Sequence, residues 1–269
     1  MKMLLALDVG NTHVMAGVLS EGKILTRWRL STDRSKTEDE YGLFLYELFT
    51  ISGLDPKDVR GVIMASVVPP LTCILEKLSQ RYFNCKPLMI EPGMDIGMPI
   101  LYDNPHEVGA DRLANAVAAY HLYGGPSIVV DFGTATSFDV ISALGEYMGG
   151  AIAPGILTAT EALFLKAARL PRIDLVDPGS AIGKDTVSSM QAGVIYGFAG
   201  QVDALVERIR TELGTGALAV ATGGLAPLVA AQSRTINKVN LDLTLTGLRL
   251  IYERKLHRRS QQRVDGKPR

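Results

Sequence analysis

The sequence predicts an α/β chain built from two similar lobes, and three observations carry that prediction. An apolar run ending in Asp-x-Gly occurs twice, at Leu4–Thr12 and at Ile128–Thr134, each near the start of one half of the chain. Each copy is followed by a returning apolar leg, and then by short β-branched runs alternating with helix-length amphipathic stretches. A Gly/Pro-rich connection, Glu91-Pro-Gly-Met-Asp-Ile-Gly-Met-Pro99, separates the halves. The expected division is a lobe over 1–105, a second over 106–256 that opens with a bridging helix, and a basic, disordered tail over 257–269.

In chain order, Leu4 to Val9 and Val14 to Leu19 form the legs of the first hairpin, and Lys23 to Leu30 alternates well enough for a third strand. Ser31-Thr-Asp33 opens a loop. A helix follows from Glu38 to Ser52, with Tyr41, Leu45 and Leu48 on one face and Gly53 at its end. Val62 to Val68 is a strand stopped by Pro69-Pro70, and proline suits the start of the next helix, Leu71 to Tyr82. Pro87 to Ile90 is a short strand. A helix over Glu107–Tyr123 leads to the second hairpin, Ile128–Val130 returning through Phe138–Ile141. Then come a strand at Tyr147–Ala153, helices at Leu157–Ala168 and Thr186–Leu213, a strand at Leu218–Ala221 and a last helix at Leu243–Leu256.

The two tips suggest chemistry. Gly133 can take a positive φ without steric cost, so the backbone can fold back and turn its N–H groups toward an anion, with Thr134 and Thr136 adding hydroxyls. Asp8, Gly10, Asn11 and Thr12 repeat the order. One Asp-x-Gly alone marks many ordinary turns; its repetition at the head of each half is the signal. Asp8 and Asp131 facing one polyphosphate would repel it, so a cation is implied, and Mg²⁺ commonly reaches protein through one or two carboxylates, water and phosphates.

Composition narrows the classes. At 269 residues and 47% hydrophobic, the chain can bury a sizeable core. Its formal net charge is zero, but seven Lys/Arg and one acid lie from Arg254 onward, so the body is mildly acidic and nucleic acid is not the expected partner. The two cysteines, Cys73 and Cys85, lack metal or redox spacing, and no apolar stretch is long enough for a bilayer; a reduced, cytoplasmic protein is expected.

Other motifs divide. Gly179-Ser-Ala-Ile-Gly-Lys-Asp-Thr186 resembles a Walker loop but has three residues between its glycines and Asp185 after the lysine; Gly214-Thr-Gly216 lacks a third glycine, and both are rejected. Val108-Gly-Ala-Asp-Arg112 is sharper. It sets a carboxylate that can take a proton beside a guanidinium that can hold a negative group, at the start of a helix. Thr222-Gly-Gly224 follows a strand, so its backbone could approach a flat ring such as adenine. His106 and His121 have no carboxylate or cysteine partners at readable spacing and receive no role.

With Asp8-Val-Gly-Asn-Thr12, Gly109-Ala-Asp-Arg112, Asp131-Phe-Gly-Thr134 and Thr222-Gly-Gly224 in this order, the chain resembles the type III pantothenate kinases. Ser31-Thr-Asp-Arg34, Ala65–Pro70, Tyr102-Asp-Asn-Pro105, Gly149–Gly155 and Ala221–Pro227 extend the resemblance to about Arg254. It implies a duplicated ribonuclease-H-like fold, as in actin, Hsp70 and the acetate and sugar kinases, and ATP-dependent phosphorylation of pantothenate. It further implies that Asp8, Val9, Gly10, Asn11, Thr12, His13, Val14 and Met15 cradle ATP, with Asp8 near Mg²⁺ and Thr134 near the phosphates. Asp131 would bind a monovalent cation, K⁺ or NH₄⁺, and Asp111 would accept the proton. Tyr102, Gly109, Ala110, Asp111, Arg112 and Thr186 would line the pantothenate site, completed by the partner in a homodimer. His13 and Ser137 depart from the residues usual there, asparagine and threonine. Another small-molecule kinase of the superfamily and a non-catalytic nucleotide-binding regulator are the alternatives.

Overall fold

The structure is a computed structural model that describes residues 2–91 and 93–264. It divides into two compact units, the first made of the chain up to Met98, Asp103–Ala118 and the chain from Thr244, the second of Pro99–Tyr102 and Ala119–Leu243.

In the first unit, β1 (Met3–Val9), β2 (His13–Ser20), β3 (Lys23–Ser31), β4 (Val59–Ser66) and β5 (Leu88–Met89) form a sheet in the order β3-β2-β1-β4-β5. The first three strands are antiparallel, while β4 and β5 join parallel to β1. β1 is nearly continuous in apolar residues because it is central and covered on both faces. β3 lies at the edge and alternates between exposed and half-buried positions.

One face of this sheet, through Leu5, Leu7, Val9, Ala16, Val18, Val62 and Met64, packs on α1 (Glu38–Ile51) and α2 (Pro69–Phe83). α1 starts where it does because Thr37 and Glu40 form a reciprocal capping box, and α2 starts on a proline and stops at Asn84 in the left-handed region. The opposite face carries α7 (Leu243–Val264), which crosses bare backbone: a Cβ at Gly17 would meet Leu245, and one at Gly61 would meet the Tyr252 hydroxyl. α3 (Ala110–Tyr123) begins in this unit and packs on α7.

The second unit repeats the plan. β6 (Ser127–Phe132), β7 (Ala135–Ile141), β8 (Tyr147–Pro154), β9 (Leu218–Thr222) and β10 (Lys238–Val239) give the order β10-β9-β6-β7-β8, the same arrangement counted from the other edge. Again three antiparallel strands are followed by two parallel ones. Its core joins Ile128, Val130, Phe132 and Phe138 to Ala199, Val202 and Val206 of α5 (Thr186–Leu213), to Ile156 of α4 (Ile156–Lys166) and to Val229 of α6 (Ala226–Ala230).

Two expectations change. The units are not the contiguous stretches 1–105 and 106–256, because α7 returns to the first sheet and residues 99–102 join the second. The tail is not disordered from residue 257: α7 runs on to Val264, through Gln and Arg, which are good helix formers, with Arg254 and Arg258 both pairing with Asp95. Residues 265–269 lie outside the described residues.

A buried carboxylate locks the turn before β10. Asp203 of α5 is 4% exposed and accepts from the Ser233 hydroxyl at 2.6 Å, the Thr235 hydroxyl at 2.8 Å, and the N–H groups of Arg234 and Thr235 at 3.0 and 3.1 Å. Burial alone would raise its pKa, but the Ser233, Arg234 and Thr235 hydrogen bonds together outweigh it and hold the carboxyl below the ordinary value. A depressed acid contributes stability that is complete above the unfolded-state value of about 4 and is lost as pH falls through the folded one. Asp203→Ala should therefore cost about 2–3 kcal/mol in neutral denaturant unfolding. Its deficit relative to the parent should shrink below about pH 4; a deficit independent of pH would show that the charge contributes nothing.

Candidate active site

The first loop is set by β1 and β2. Their register pairs Asp8 with Met15 and Val9 with Val14, leaving Gly10, Asn11 and Thr12 to make the tip. The Gly10 N–H donates to the His13 carbonyl at 3.0 Å, and a Cβ at Gly10 would sit 3.1 Å from that oxygen, so the tip is closed and has little room for a side chain at this point. Asn11, Thr12 and His13 are exposed and Asp8 is half-buried. The His13 imidazole is pushed toward its neutral form, first by burial and then by the Arg29 charge.

The loop has a buttress that sequence reasoning missed. The Thr32 hydroxyl donates to the Gly10 carbonyl at 2.6 Å, the Thr32 N–H donates to the Thr12 carbonyl at 3.0 Å, and Arg34 reaches the Asn11 side-chain oxygen at 3.4 Å. Tyr41, 1% exposed, ties the same segment to α1 by accepting from the Asp33 N–H at 2.8 Å. The signal in the sequence is Ser31-Thr-Asp-Arg34, which enters only as part of the resemblance.

The second loop occupies the corresponding place in its own sheet. Asp131 is the penultimate residue of β6, as Asp8 is of β1; each pairs with the returning antiparallel strand on one side and with the parallel strand on the other, Asp8 with Met15 and Ala65, Asp131 with Ser137 and Thr222. Gly133 and Thr134 form the tip. The Thr134 carbonyl accepts from the Gly155 N–H at 3.1 Å and from the Thr158 hydroxyl at 2.8 Å, which seats the tip on the start of α4. Gly155 is required there: a Cβ would lie 2.3 Å from the Thr134 carbonyl and 2.5 Å from that of Gly133.

Gly223, at φ +91, closes on this loop. A Cβ on it would stand 2.6 Å from the Phe132 carbonyl oxygen and 2.7 Å from Asp131 Oδ1. The Thr222-Gly-Gly224 turn thus lies against the Asp131 carboxylate, a neighbour that its sequence position did not reveal.

In the first unit, Asp111 opens α3. Its Oδ1 accepts from the Arg112 N–H at 2.8 Å, and the absent Cβ of Gly109 is what leaves room for that carboxylate: it would be 2.5 Å from Oδ1. Asp111 and Arg112 are half-buried, open enough to meet a small molecule. Ala110 beside them is 8% exposed.

In the second unit, Tyr102 is half-buried beside Tyr147, with ring centroids 6.3 Å apart. Thr186 is exposed at the first turn of α5, after Asp185, whose carboxyl caps the helix and is held below its usual range by the Ser188 N–H and hydroxyl. Thr186 stands on the rim of a groove of about 870 Å³ between α4 and α5, floored by Leu163, Leu170, Met190, Val194 and Phe198. The structure thus groups Asp8–Met15 and Gly109–Arg112 in the first unit, and Tyr102, Asp131, Thr134 and Thr186 in the second.

A family model of type III pantothenate kinases matches residues 4–208. Over 252 residues, 94% of this chain, it is 55% identical to the type III pantothenate kinase of Moorella thermoacetica and 52% identical to that of Geobacter sulfurreducens, covering 99% of each. Among solved structures it resembles an activator of 2-hydroxyisocaproyl-CoA dehydratase from Clostridium difficile with bound ADPNP, at TM-score 0.59 and 15% identity over 99% of this chain and 100% of that one. It also resembles the ethanolamine utilization protein EutJ from Carboxydothermus hydrogenoformans, at TM-score 0.57 and 15% identity over 93% and 90% of the two chains. These likenesses show the same duplicated ribonuclease-H-like fold.

Proposed function

The chain belongs to the type III pantothenate kinase family and so phosphorylates pantothenate with ATP, the first step of coenzyme A biosynthesis, and we propose that its two Asp-x-Gly loops hold the nucleotide while Asp111 accepts the hydroxyl proton. The observation that carries this reading is the equal register of Asp8 and Asp131 in two sheets of the same strand order. Asp8 to Met15 cradle ATP, and Thr134 meets its phosphates.

The pantothenate oxygen attacks the γ-phosphorus, the bond to the β-phosphate bridging oxygen breaks, and the hydroxyl proton passes to the Asp111 carboxylate. A primary alcohol is a weak nucleophile, so a carboxylate within hydrogen-bond reach favours the forming P–O bond. Arg112 holds the carboxylate of pantothenate, and Tyr102, Gly109, Ala110 and Thr186 shape the rest of its site. Positioning the γ-phosphoryl group and balancing its charge account for much of the remaining acceleration.

Two cations fit the residues present. Asp8 offers a half-buried carboxylate beside the first tip, suited to Mg²⁺ through water. The Asp131 carboxylate and the Phe132 carbonyl oxygen lie side by side next to Gly223, oxygen donors of the kind a hard monovalent cation, K⁺ or NH₄⁺, takes. When bound, these ions would offset triphosphate charge and fix its orientation. Exchanging K⁺ for a large organic cation at constant ionic strength should lower turnover about tenfold or more; indifference to the exchange would remove Asp131 as a cation ligand.

The reading includes a homodimer acting in the cytoplasm. Leu157, Leu163 and Leu165 of α4 are exposed, as are Ile182 and Val187, and Leu163 lines the α4–α5 groove; apolar side chains left open in this way suit a second copy. Both cysteines are free, and among the described residues no helix is long and apolar enough to cross a membrane. Leu165→Glu should convert the dimer to monomer in sedimentation and raise the KM for pantothenate. A dimer that persists with unchanged KM would place the interface elsewhere.

A further inference from the structure

The segment carrying Tyr102 is held by a device that the reaction itself does not use. Residues 99–102 are stitched to the edge of the second sheet at one residue: the Leu101 N–H donates to the Tyr147 carbonyl and the Tyr147 N–H donates to the Pro99 carbonyl, both at 2.8 Å. Tyr147 is fully buried, at 0% exposure. Its hydroxyl donates at 2.7 Å to Oδ1 of Asp139, equally buried, whose other oxygen accepts from the Ser137 hydroxyl at 3.1 Å. A carboxylate placed among strands is costly unless its oxygens are occupied, and here one of them fixes the far end of the Tyr147 ring.

The Tyr102 ring packs on that anchored ring, tilted 56° to it. It also lies against the Gly149 backbone: Gly149 sits at φ +109, and a Cβ there would stand 3.2 and 3.3 Å from two Tyr102 ring carbons. The neighbouring Gly150 lies close against β7, where a Cβ on it would fall 1.6 Å from the Phe138 carbonyl oxygen. Gly149 pairs with Val140 in the β7–β8 ladder, so its side-chain-free surface is part of that ladder.

We infer that Asp139, Tyr147 and Gly149 are positioning residues for acceptor recognition, setting the Tyr102 ring against pantothenate through the Asp139–Tyr147 hydrogen bond and the bare Gly149 backbone. This rests on the reading that Tyr102 lines the acceptor site. A side chain at Gly149 displaces the ring, and loss of the Tyr147 hydroxyl frees the ring on which Tyr102 leans.

Steady-state kinetics of the full chain test it, with Tyr102→Ala, Gly149→Ala, Tyr147→Phe and each of the latter two combined with Tyr102→Ala, and with thermal midpoints recorded. Gly149→Ala and Tyr147→Phe should each raise the KM for pantothenate about three- to thirtyfold, with kcat and the KM for ATP within about twofold. Both effects should vanish in the Tyr102→Ala background, which a merely structural role would not produce. Tyr147→Phe keeps the ring packing and serves if Gly149→Ala folds poorly. If Tyr102→Ala raises the pantothenate KM while the other two leave it unchanged, or if their effects persist in the Tyr102→Ala background, the positioning role is wrong. If Tyr102→Ala itself leaves that KM unchanged, both the acceptor reading of Tyr102 and this inference fall.

Discussion

Asp111→Asn is expected to lower kcat by about 10²- to 10⁴-fold while leaving the affinity for ATP within about twofold of the parent. The substitution is nearly isosteric. The oxygen that accepts from the Arg112 N–H at 2.8 Å is still an acceptor in asparagine, so the side chain keeps its orientation at the head of α3. What disappears is the capacity to take a proton from the attacking hydroxyl. Gly109→Ala should reduce kcat for a different reason, because its Cβ would lie 2.5 Å from Asp111 Oδ1 and turn the carboxylate away. Initial rates of ADP release, with calorimetric titration of ATP, separate the two variables. Near-normal turnover in Asp111→Asn would remove Asp111 as the base.

The second large effect is expected where two helices cross. Gly247 lies in α7 where it crosses α3, and a Cβ there would be 1.9 Å from the Ala114 carbonyl oxygen and 2.5 Å from its carbon. Backbone cannot swing aside as the end of a side chain can. The two helices must therefore separate, which also stretches the 2.8 Å bond from the Thr244 hydroxyl to the fully buried Asn115. Gly247→Ala should cost about 3 kcal/mol or more, despite the better helix propensity of alanine, which offsets only about 1 kcal/mol. Because α3 begins with Asp111, kcat should fall as well. Denaturant unfolding and initial rates on the same preparation check this; a variant as stable and as active as the parent would show that the crossing has slack.

The parts of the fold that were legible in the sequence are those fixed by local chemistry. α1 and α5 begin at the expected Glu38 and Thr186, where Thr37 and Asp185 cap them, and α2 begins at Pro69, within two residues of the expected position. The hairpin strands show as β-branched or apolar runs because they are buried on both faces. What escaped depends on distant partners. The last turns of α7 have no apolar period of their own and are tied down by Asp95, more than a hundred residues earlier. β10 is two residues long and exists through its pairing with β9. The helix expected from Glu107 instead begins at Ala110, after a separate 3-10 turn over Pro105–Glu107 capped by Asn104.

The candidate site divides along the same line. Asp8, Asp131 and Asp111 were readable because each stands two residues from a glycine in a short motif, although Gly133, read for a positive φ, does not adopt one. Thr32 and Gly155 were not, since their contacts to Gly10 and Thr134 arise from folding segments over 20 residues apart against one another. Gly223 was read as a glycine near a flat ring, whereas its contact with Asp131 depends on the parallel pairing of β6 and β9.

The most direct measurement offers the purified chain ATP, Mg²⁺ and K⁺ with pantothenate, acetate, glycerol or glucose in turn, and follows ADP release together with the mass of the acceptor. ADP should appear with pantothenate alone, one equivalent for each phosphopantothenate formed. Release of ADP at the same rate with another acceptor, or pantothenate left unmodified while ATP is consumed, would contradict the account.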